Sequence, residues 1–363
     1  MKPLGIRAKS AVVRGIFGLP RPVRRLLAGP PVRVDGQEMD LDARLVIRLK
    51  NASGSDVFAD PIEGARARYD GLPGIFGYES PVPIAAREIT IATGHGGIPA
   101  TVYTPADEPS ALLVYFHGGG FSVGSRLSHD PVARYLASHA GVRVLSVEYR
   151  RAPEHRFPAA VDDAVAAFEY AHRHATALGC DPDRIAVGGD SAGGNLAAVA
   201  AQQAVRRGGG VPAFQLLMYP PTDFTTRRPS RDLFARGSTF TDQNLEWALA
   251  NYIPPGADRG DPRLSPLHGD VTGLPPAYIA SAGFDPIRDD GEAYADKLRA
   301  GGIPVAQSRQ ADLPHAYLNF VGLGGRFAEA ASEAAGALRI GLAPNGSATQ
   351  RGAGELLRVG DIP

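Results

Sequence analysis

The chain has 363 residues, of which 44% are hydrophobic, so it is long enough to enclose a full core. Its 38 basic and 38 acidic side chains give a formal net charge of zero, which argues against recognition of nucleic acid by overall charge. Cys180 is the single cysteine, which excludes an intrachain disulfide, and no apolar run has the ~20 residues of a membrane span. These features predict a cytoplasmic protein with no transmembrane segment and a structural thiol at Cys180.

The first 31 residues are basic and partly apolar. Lys9, Arg14 and Pro20 interrupt the apolar positions, so the segment lacks the uninterrupted run of ~7–15 apolar residues found in a signal peptide. A basic amphipathic segment either packs as a helix on its own protein or contacts a membrane surface. We expect helix packing, and weak contact with a membrane surface stays open as the alternative.

Farther along the chain, residues that alternate between apolar and polar flank Gly94–Pro99, which predicts a hairpin with His95 in its turn. Buried strands are then predicted by the stretches SALLVYF, VRVLSVEYR, RIAVGGD, FQLLMYP, PAYIASAGFD and VAQSRQADLP. Helices are predicted by the stretches DPVARYLASHAG, FPAAVDDAVAAFEYAHRHATALG, AGGNLAAVAAQQAVRRG, DDGEAYADKLRAGG and RFAEAASEAAGALRIG. Strands that alternate with helices predict an α/β fold with a mostly parallel central sheet and helices on both faces.

This alternation stops between Pro220 and Gly273. Aromatic and apolar residues in the interval are spaced as in short amphipathic helices: Phe234, Phe240, Leu245, Trp247 and Tyr252. An insertion at this point of the chain predicts a helical cap over a site.

A serine motif follows the stretch RIAVGGD. Gly189, Ser191 and Gly193 fit the pattern G-x-S-x-G, and the motif lies between a predicted strand and a predicted helix, as in a nucleophile elbow. Small neighbours allow a sharp turn that presents the serine above the sheet, where the N–H of Ala192 can face a developing oxyanion. A glycine-rich turn without a chemical role is the alternative, and the strand and helix on either side argue against it.

A nucleophilic serine needs a base, and in this arrangement an acid and then a histidine follow the serine in chain order. Asp285 comes directly after an apolar strand, and His315 comes after the next predicted strand. Asp289 and Asp290 lie nearby at a predicted helix start, where carboxylates stabilise the helix dipole. The sequence therefore predicts Ser191, Asp285 and His315 as the catalytic residues.

The stretch HGGGF follows another predicted strand. Glycines let the backbone come close to a reacting group, and backbone N–H groups stabilise the negative charge of acyl transfer. Gly119 and Gly120 are the predicted oxyanion donors beside Ala192, Gly118 is left open, and His117 is predicted to anchor the loop. A phosphate-binding loop is disfavoured because the P-loop lysine is absent.

Since the sequence has no H-E-x-x-H motif and no Cys/His cluster, we expect neither a metal nor a cofactor.

Together these motifs resemble the hormone-sensitive-lipase-like esterases, the bacterial family IV of the α/β-hydrolase fold. The resemblance spans roughly residues 85–335 and rests on YFHGGGFSVGS, VEYRRAPEHRFPAAVDD, GGDSAGGNLA, LLMYPPTD, SAGFDPIRDDGEAYADKLRAGG and LPHAYLNF. It implies a serine carboxylesterase that hydrolyses short- to medium-chain esters through an acyl-enzyme, with Ser191, Asp285 and His315 as its triad. It also implies that Gly119, Gly120 and Ala192 form the oxyanion hole.

The resemblance further implies a division of the chain. Residues 1–80 would form part of the cap and residues 222–272 the cap insertion. Residues 81–221 and 273–341 would form the two parts of the hydrolase core. The Gly-, Ala- and Ser-rich residues 342–363 are expected to form a loose tail.

Two features depart from the family. Ala316 follows the predicted triad histidine where the family often has glycine, and the N-terminal segment is longer and more basic than the family needs.

Two other functions stay open: an amidase or peptidase with the same triad, and a ligand-binding protein without catalysis. We expect a small-molecule ester as partner and no nucleic acid, and a homodimer stays open.

Overall fold

A computed structural model describes residues 4–54, 56–94 and 96–344. Within these ranges, the strands are β1 (Arg33–Val34), β2 (Gln37–Glu38), β3 (Ile84–Thr93), β4 (Gly96–Pro105), β5 (Leu112–Phe116), β6 (Arg143–Val147), β7 (Ile185–Asp190), β8 (Phe214–Met218), β9 (Ala277–Phe284) and β10 (Val305–Pro314). The α-helices are α1 (Leu4–Phe17), α2 (Arg21–Ala28), α3 (Leu41–Ser53), α4 (Ile62–Asp70), α5 (Leu72–Phe76), α6 (Asp130–Ala140), α7 (Ala159–Arg173), α8 (Ala192–Arg207), α9 (Pro229–Leu233), α10 (Asp242–Tyr252), α11 (Arg288–Ala300) and α12 (Gly325–Gly341).

Eight strands form one sheet in the order β10-β9-β8-β7-β5-β6-β4-β3. The strands from β10 to β6 pair in parallel, while β3, β4 and β6 pair antiparallel at one edge. Strands β1 and β2 form a separate antiparallel ribbon. The predicted α/β fold with a mostly parallel sheet is therefore confirmed.

Strand β5 explains why helices cover both faces of this sheet. All five of its residues are buried and apolar, and successive side chains of a strand point to opposite faces. Val114 belongs to a core cluster with Phe168 of α7 and Leu196 of α8. Tyr115 belongs to a second cluster with Leu136 of α6, on the other face. The two clusters hold the sheet between helical layers, so the loops at the strand ends are left to form a site.

Three local predictions are confirmed. Strands β3 and β4 pair in the predicted hairpin, with Thr93 opposite Gly96, while His95 itself lies outside the described residues. Helix α6 ends at Gly141, whose φ of 64° suits glycine. Cys180 is buried, and burial raises the pKa of its thiol to about 11, so it stays protonated at neutral pH. The predicted loose tail begins at residue 342, where Leu342 is buried. Its residues beyond position 344 lie outside the described ranges.

The loop between α3 and α4 contacts the insertion between β8 and β9. Phe58, between α3 and α4, packs its ring edge-on against Phe240 at 5.1 Å and against Trp247 of α10 at 6.0 Å. The Asn244 amide of α10 donates to the Asp56 carboxylate at 3.0 Å.

Over the described ranges, no helix is both long and apolar enough to cross a membrane.

Candidate active site

The site begins at a sharp turn between β7 and α8. Ser191 forms this turn with a φ of 53°, a left-handed conformation that is strained for a residue with a side chain. Its N–H donates to the carbonyl of Met218 at 2.8 Å, which holds the turn. A Cβ at Gly189 or Gly193 would lie 2.4 or 1.9 Å from the Phe116 carbonyl oxygen, so both positions require glycine.

Three side chains meet at the carboxyl ends of the parallel strands. Ser191 directly follows β7, Asp285 directly follows β9, and His315 directly follows β10. The Ser191 Oγ lies 2.9 Å from Nε2 of His315, whose Nδ1 lies 2.6 Å from Oδ2 of Asp285. The other Asp285 oxygen accepts the N–H of Ile287 at 2.9 Å, which fixes the carboxylate. The three side chains thus form one hydrogen-bonded chain, which is the arrangement that nucleophilic catalysis requires of a nucleophile, a base and an orienting acid.

The His315 ring contacts two aromatic side chains. Phe240 packs on it at 4.7 Å with a tilt of 30°, and Tyr219 meets it edge-on at 4.9 Å. The hydroxyl of Thr239 donates to the His315 carbonyl at 2.6 Å. The sequence pattern places Phe240 in the insertion but does not link it to His315, because their contact joins segments that are distant in the chain.

The HGGG loop lies directly against the serine turn. The N–H of Gly118 donates to Oδ1 of Asp190 at 2.9 Å, so this group is already used. Gly119 and Gly120 have φ values of 120° and 58°, and a Cβ at Gly119 would lie 2.2 Å from the Val123 carbonyl oxygen. Within the described residues, no hydrogen bond is donated by the N–H of Gly119 or Gly120. Both groups therefore remain available to a ligand.

The N–H of Ala192 also belongs to the serine turn. Ala192 is the first residue of α8, and the first four N–H groups of an α-helix have no partner within the helix. The positive end of the helix dipole lies at the same point, so the position favours a negatively charged oxygen.

His117, the first residue of the HGGG loop, packs in the core beside the loop. Its ring is fully buried, stacks on Tyr149 at 4.2 Å, and has Nδ1 2.8 Å from the carbonyl oxygen of Gly118. The Tyr149 hydroxyl donates to the His117 carbonyl at 2.7 Å. Burial holds the pKa of His117 well below its ordinary value, so the ring is neutral at pH 7. These contacts tie His117 to the loop.

A buried network centred on Asp190 was not predicted from the sequence. This carboxylate accepts the Tyr115 hydroxyl at 2.5 Å in addition to the Gly118 N–H, and His129 Nε2 lies 3.4 Å away. Burial by itself raises the pKa of Asp190, but His129 and the Tyr115 hydroxyl outweigh burial and hold the pKa below its ordinary value. Asp190 therefore links the serine turn to the HGGG loop as an anion. An aspartate at the end of an otherwise apolar strand was the signal that could have identified it.

Ala316, which departs from the family pattern, adopts a left-handed conformation with φ 60° and ψ 28°. This conformation destabilises the folded state of an L-residue by about 1–2 kcal/mol, whereas glycine adopts it without strain. Glycine in turn lowers the free energy of unfolding by about 0.5–1 kcal/mol, because its unfolded state is more flexible. We expect Ala316→Gly to raise the free energy of unfolding by up to about 1 kcal/mol, as measured by urea denaturation.

The matched control for this substitution is Ala250→Gly. Ala250 is exposed within α10, where glycine should lower the stability by about 1 kcal/mol. A lower stability for both variants would contradict the view that backbone strain at Ala316 explains the family preference for glycine.

Comparison with known proteins identifies the family. A family model described as α/β hydrolase fold matches residues 113–319, which is more than half of the chain. The carboxylic ester hydrolase LipN of Mycobacterium tuberculosis is 41% identical over 89% of this chain and 89% of its own. The carboxylesterase NlhH of the same species is 40% identical over 84% of this chain and 97% of its own.

Solved structures agree with these relatives. An ester hydrolase from the metagenome of Lake Arreo, bound to a bipyridine phosphonate derivative, matches with a TM-score of 0.80 and 35% identity. The match covers 83% of this chain and 98% of that structure. A hyperthermophilic esterase from Pyrobaculum calidifontis matches with a TM-score of 0.77 and 34% identity over 84% of this chain and 99% of its own. The chain therefore belongs to the α/β-hydrolase family, among the hormone-sensitive-lipase-like carboxylic ester hydrolases.

Proposed function

We propose that the protein is a serine carboxylesterase that hydrolyses short- to medium-chain esters through an acyl-enzyme. The observation that carries this proposal is the hydrogen-bonded chain from Asp285 through His315 to Ser191. His315 takes the proton of the Ser191 hydroxyl as its oxygen attacks the ester carbonyl carbon, and Asp285 stabilises the resulting imidazolium. His315 then gives the proton to the departing alkoxide. Water, deprotonated by His315, attacks the acyl carbonyl carbon. His315 then returns the proton to the departing Ser191 oxygen, and the acid is released.

The oxyanion of each tetrahedral intermediate needs donors that are already in position. We assign this role to the N–H groups of Gly119, Gly120 and Ala192. The glycine conformations, the unused N–H groups of the loop and the start of α8 support the assignment. Each donor of this kind contributes about 3–4 kcal/mol to the stability of the transition state.

Residues 1–80 and 222–272 form the cap in this proposal, and the intervening residues together with 273–341 form the core. The cap contacts the oxyanion loop itself. A Cβ at Gly120 would lie 2.7 Å from the Ala248 Cβ and 3.3 Å from the Phe58 ring, which come from the two cap segments. Phe58 and Ala248 therefore limit the space beside the reacting carbonyl, and this favours small acyl groups.

The test is hydrolysis of p-nitrophenyl esters from acetyl to palmitoyl, with matched p-nitroanilides and an organophosphonate label. We expect turnover of short esters, slow turnover of palmitate and anilides, and labelling of Ser191. Faster cleavage of anilides than of esters would favour an amidase. A folded protein that shows no turnover and no labelling would favour a ligand-binding role.

Asp190 is expected to act as a positioning residue for the oxyanion loop. Asp190→Asn removes the charge that strengthens the hydrogen bonds from Tyr115 and Gly118. We expect kcat to fall about 10- to 100-fold while KM changes only a few-fold, because a displaced donor weakens the transition state more than the bound substrate.

Tyr115→Phe is the graded control for Asp190→Asn. It removes one donor and leaves the contact between Asp190 and Gly118, so a smaller fall in kcat is expected. A lower thermal midpoint with unchanged kcat in Asp190→Asn would instead make Asp190 a purely structural residue.

A further inference from the structure

Residues 1–34 carry a positive net charge, while the rest of the chain carries a negative net charge. Residues 1–34 contain eight Lys and Arg residues and no acidic residue. The whole chain holds 38 basic and 38 acidic residues, so residues 35–363 carry eight more acidic than basic side chains. The zero net charge therefore hides a basic segment on an acidic protein.

The same segment exposes an unusual share of apolar side chains. The described residues include ten exposed large apolar side chains, and five of them lie within 21 consecutive positions. These five are Val12, Val23, Leu26, Leu27 and Val32. Isolated exposed apolar residues are common in proteins, but a group of them indicates an interaction surface.

Helix α2 places apolar and basic side chains on opposite faces. Val23, Leu26 and Leu27 follow the spacing i, i+3, i+4 and share one face, while the three arginines of α2 share the other with the same spacing. Within the described residues, neither Arg21 nor Arg25 makes an ion pair, although Arg24 pairs with Asp42. The helix therefore presents an apolar face and two free cations at once.

Helix α2 is nevertheless fixed to the body of the protein. Ala28 is buried in a small cluster with Leu41 and Leu45 of α3. At the other end of α3, the Lys50 ammonium donates to the Thr239 carbonyl at 2.7 Å, next to the His315 loop. Thirteen residues of helix span about 20 Å, so α2 lies roughly one helix length from the active site.

We propose that residues 9–32 form a docking surface for an anionic lipid bilayer. Branched aliphatic side chains can enter the boundary between headgroups and acyl chains, and Arg and Lys residues bind lipid phosphates. The basic charge of the surface complements an anionic membrane, and the acidic remainder of a second copy would complement it as well. A second copy of the chain fits less well, since the exposed side chains lack the Tyr and Trp that dominate protein interfaces. Docking holds the cap and the active site close to a bilayer surface.

The test is sedimentation of the full chain with vesicles. One set is phosphatidylcholine alone and the other is equal parts phosphatidylcholine and phosphatidylglycerol, each in about 0.1 M and about 1 M NaCl. We expect binding to the anionic vesicles to exceed binding to phosphatidylcholine by about tenfold or more, and to weaken at high salt.

Two double variants separate the apolar and cationic contributions. Leu26→Ser/Leu27→Ser and Arg21→Gln/Arg25→Gln should each weaken binding to anionic vesicles by about tenfold. Ile340→Ser is the matched control, because Ile340 is 71% exposed, comparable with 82% for Leu26, but lies at the end of α12. It should bind as the unmodified chain does, and circular dichroism should confirm that all variants fold.

Three outcomes would overturn the proposal. The first is equal binding of the unmodified chain to both vesicle types, and the second is unchanged binding of Leu26→Ser/Leu27→Ser to anionic vesicles. The third is light scattering that finds a dimer which Leu26→Ser/Leu27→Ser dissociates, together with no vesicle binding, and it would assign the surface to a second copy. None of these readouts depends on esterase activity.

Discussion

Ser191→Ala is expected to lower kcat on a short p-nitrophenyl ester by about 10⁴- to 10⁶-fold. The substitution removes the oxygen that forms the acyl-enzyme, while Asp285, His315 and the oxyanion donors remain. Alanine, like serine, has a Cβ, so the strained φ of 53° at the turn is unchanged and the protein should stay folded. Steady-state kinetics and organophosphonate labelling measure the loss.

The matched control is Ser146→Ala. Ser146 is buried on β6, and its hydroxyl has no hydrogen-bond partner within the described residues. Removal of this hydroxyl should leave kcat within about twofold, since it makes no hydrogen bond to any proposed catalytic residue. Equal activity of Ser191→Ala and the unmodified enzyme would reject Ser191 as the nucleophile.

Asp285→Asn is expected to lower kcat by about 10⁴-fold. The amide keeps the size of the carboxylate but loses its charge, so it no longer stabilises the His315 imidazolium or selects the tautomer that presents Nε2 to Ser191. Replacing a fully buried charge by an amide need not lower stability. A large loss of kcat without a lower thermal midpoint would therefore identify a chemical role.

Asp289→Asn is the control that tests the choice of acid. Asp289 lies four residues farther along, where it accepts the Ser230 N–H at 2.8 Å and the Arg288 side chain at 2.9 Å. Neither contact reaches His315, so kcat should stay within about threefold. If Asp289→Asn lost activity while Asp285→Asn kept it, the acid would have been assigned to the wrong carboxylate.

Much of this molecule could be predicted from local sequence. Strand β5 was predicted because five consecutive apolar residues suit a strand buried on both faces, and α6 because its pattern ends at Gly141. The turn at Ser191 was predicted because the pattern G-x-S-x-G, with Gly189 and Gly193, lies between a predicted strand and a predicted helix. In each case the sequence signal lies within a few residues of the feature.

The assembly of the candidate site was only partly predictable. The order of Ser191, Asp285 and His315 followed from strand positions, since parallel strands place their carboxyl ends at one edge of the sheet. Their distances of 2.6 and 2.9 Å depend on how β7, β9 and β10 are spaced across the sheet. Pattern alone predicts that these residues share an edge, and packing brings them into contact.

The contacts around the site were decided by the tertiary structure alone. Asp190 meets Tyr115 across 75 positions of the chain, and Phe240 meets His315 across two elements that no local pattern links. The docking surface is similar: the sequence contains its arginines and leucines, but their exposure depends on which side of α2 packs against α3. Sequence determines the strands, helices and strained turns because these depend on neighbours along the chain. Burial, hydrogen-bond partners and exposure depend on neighbours in space.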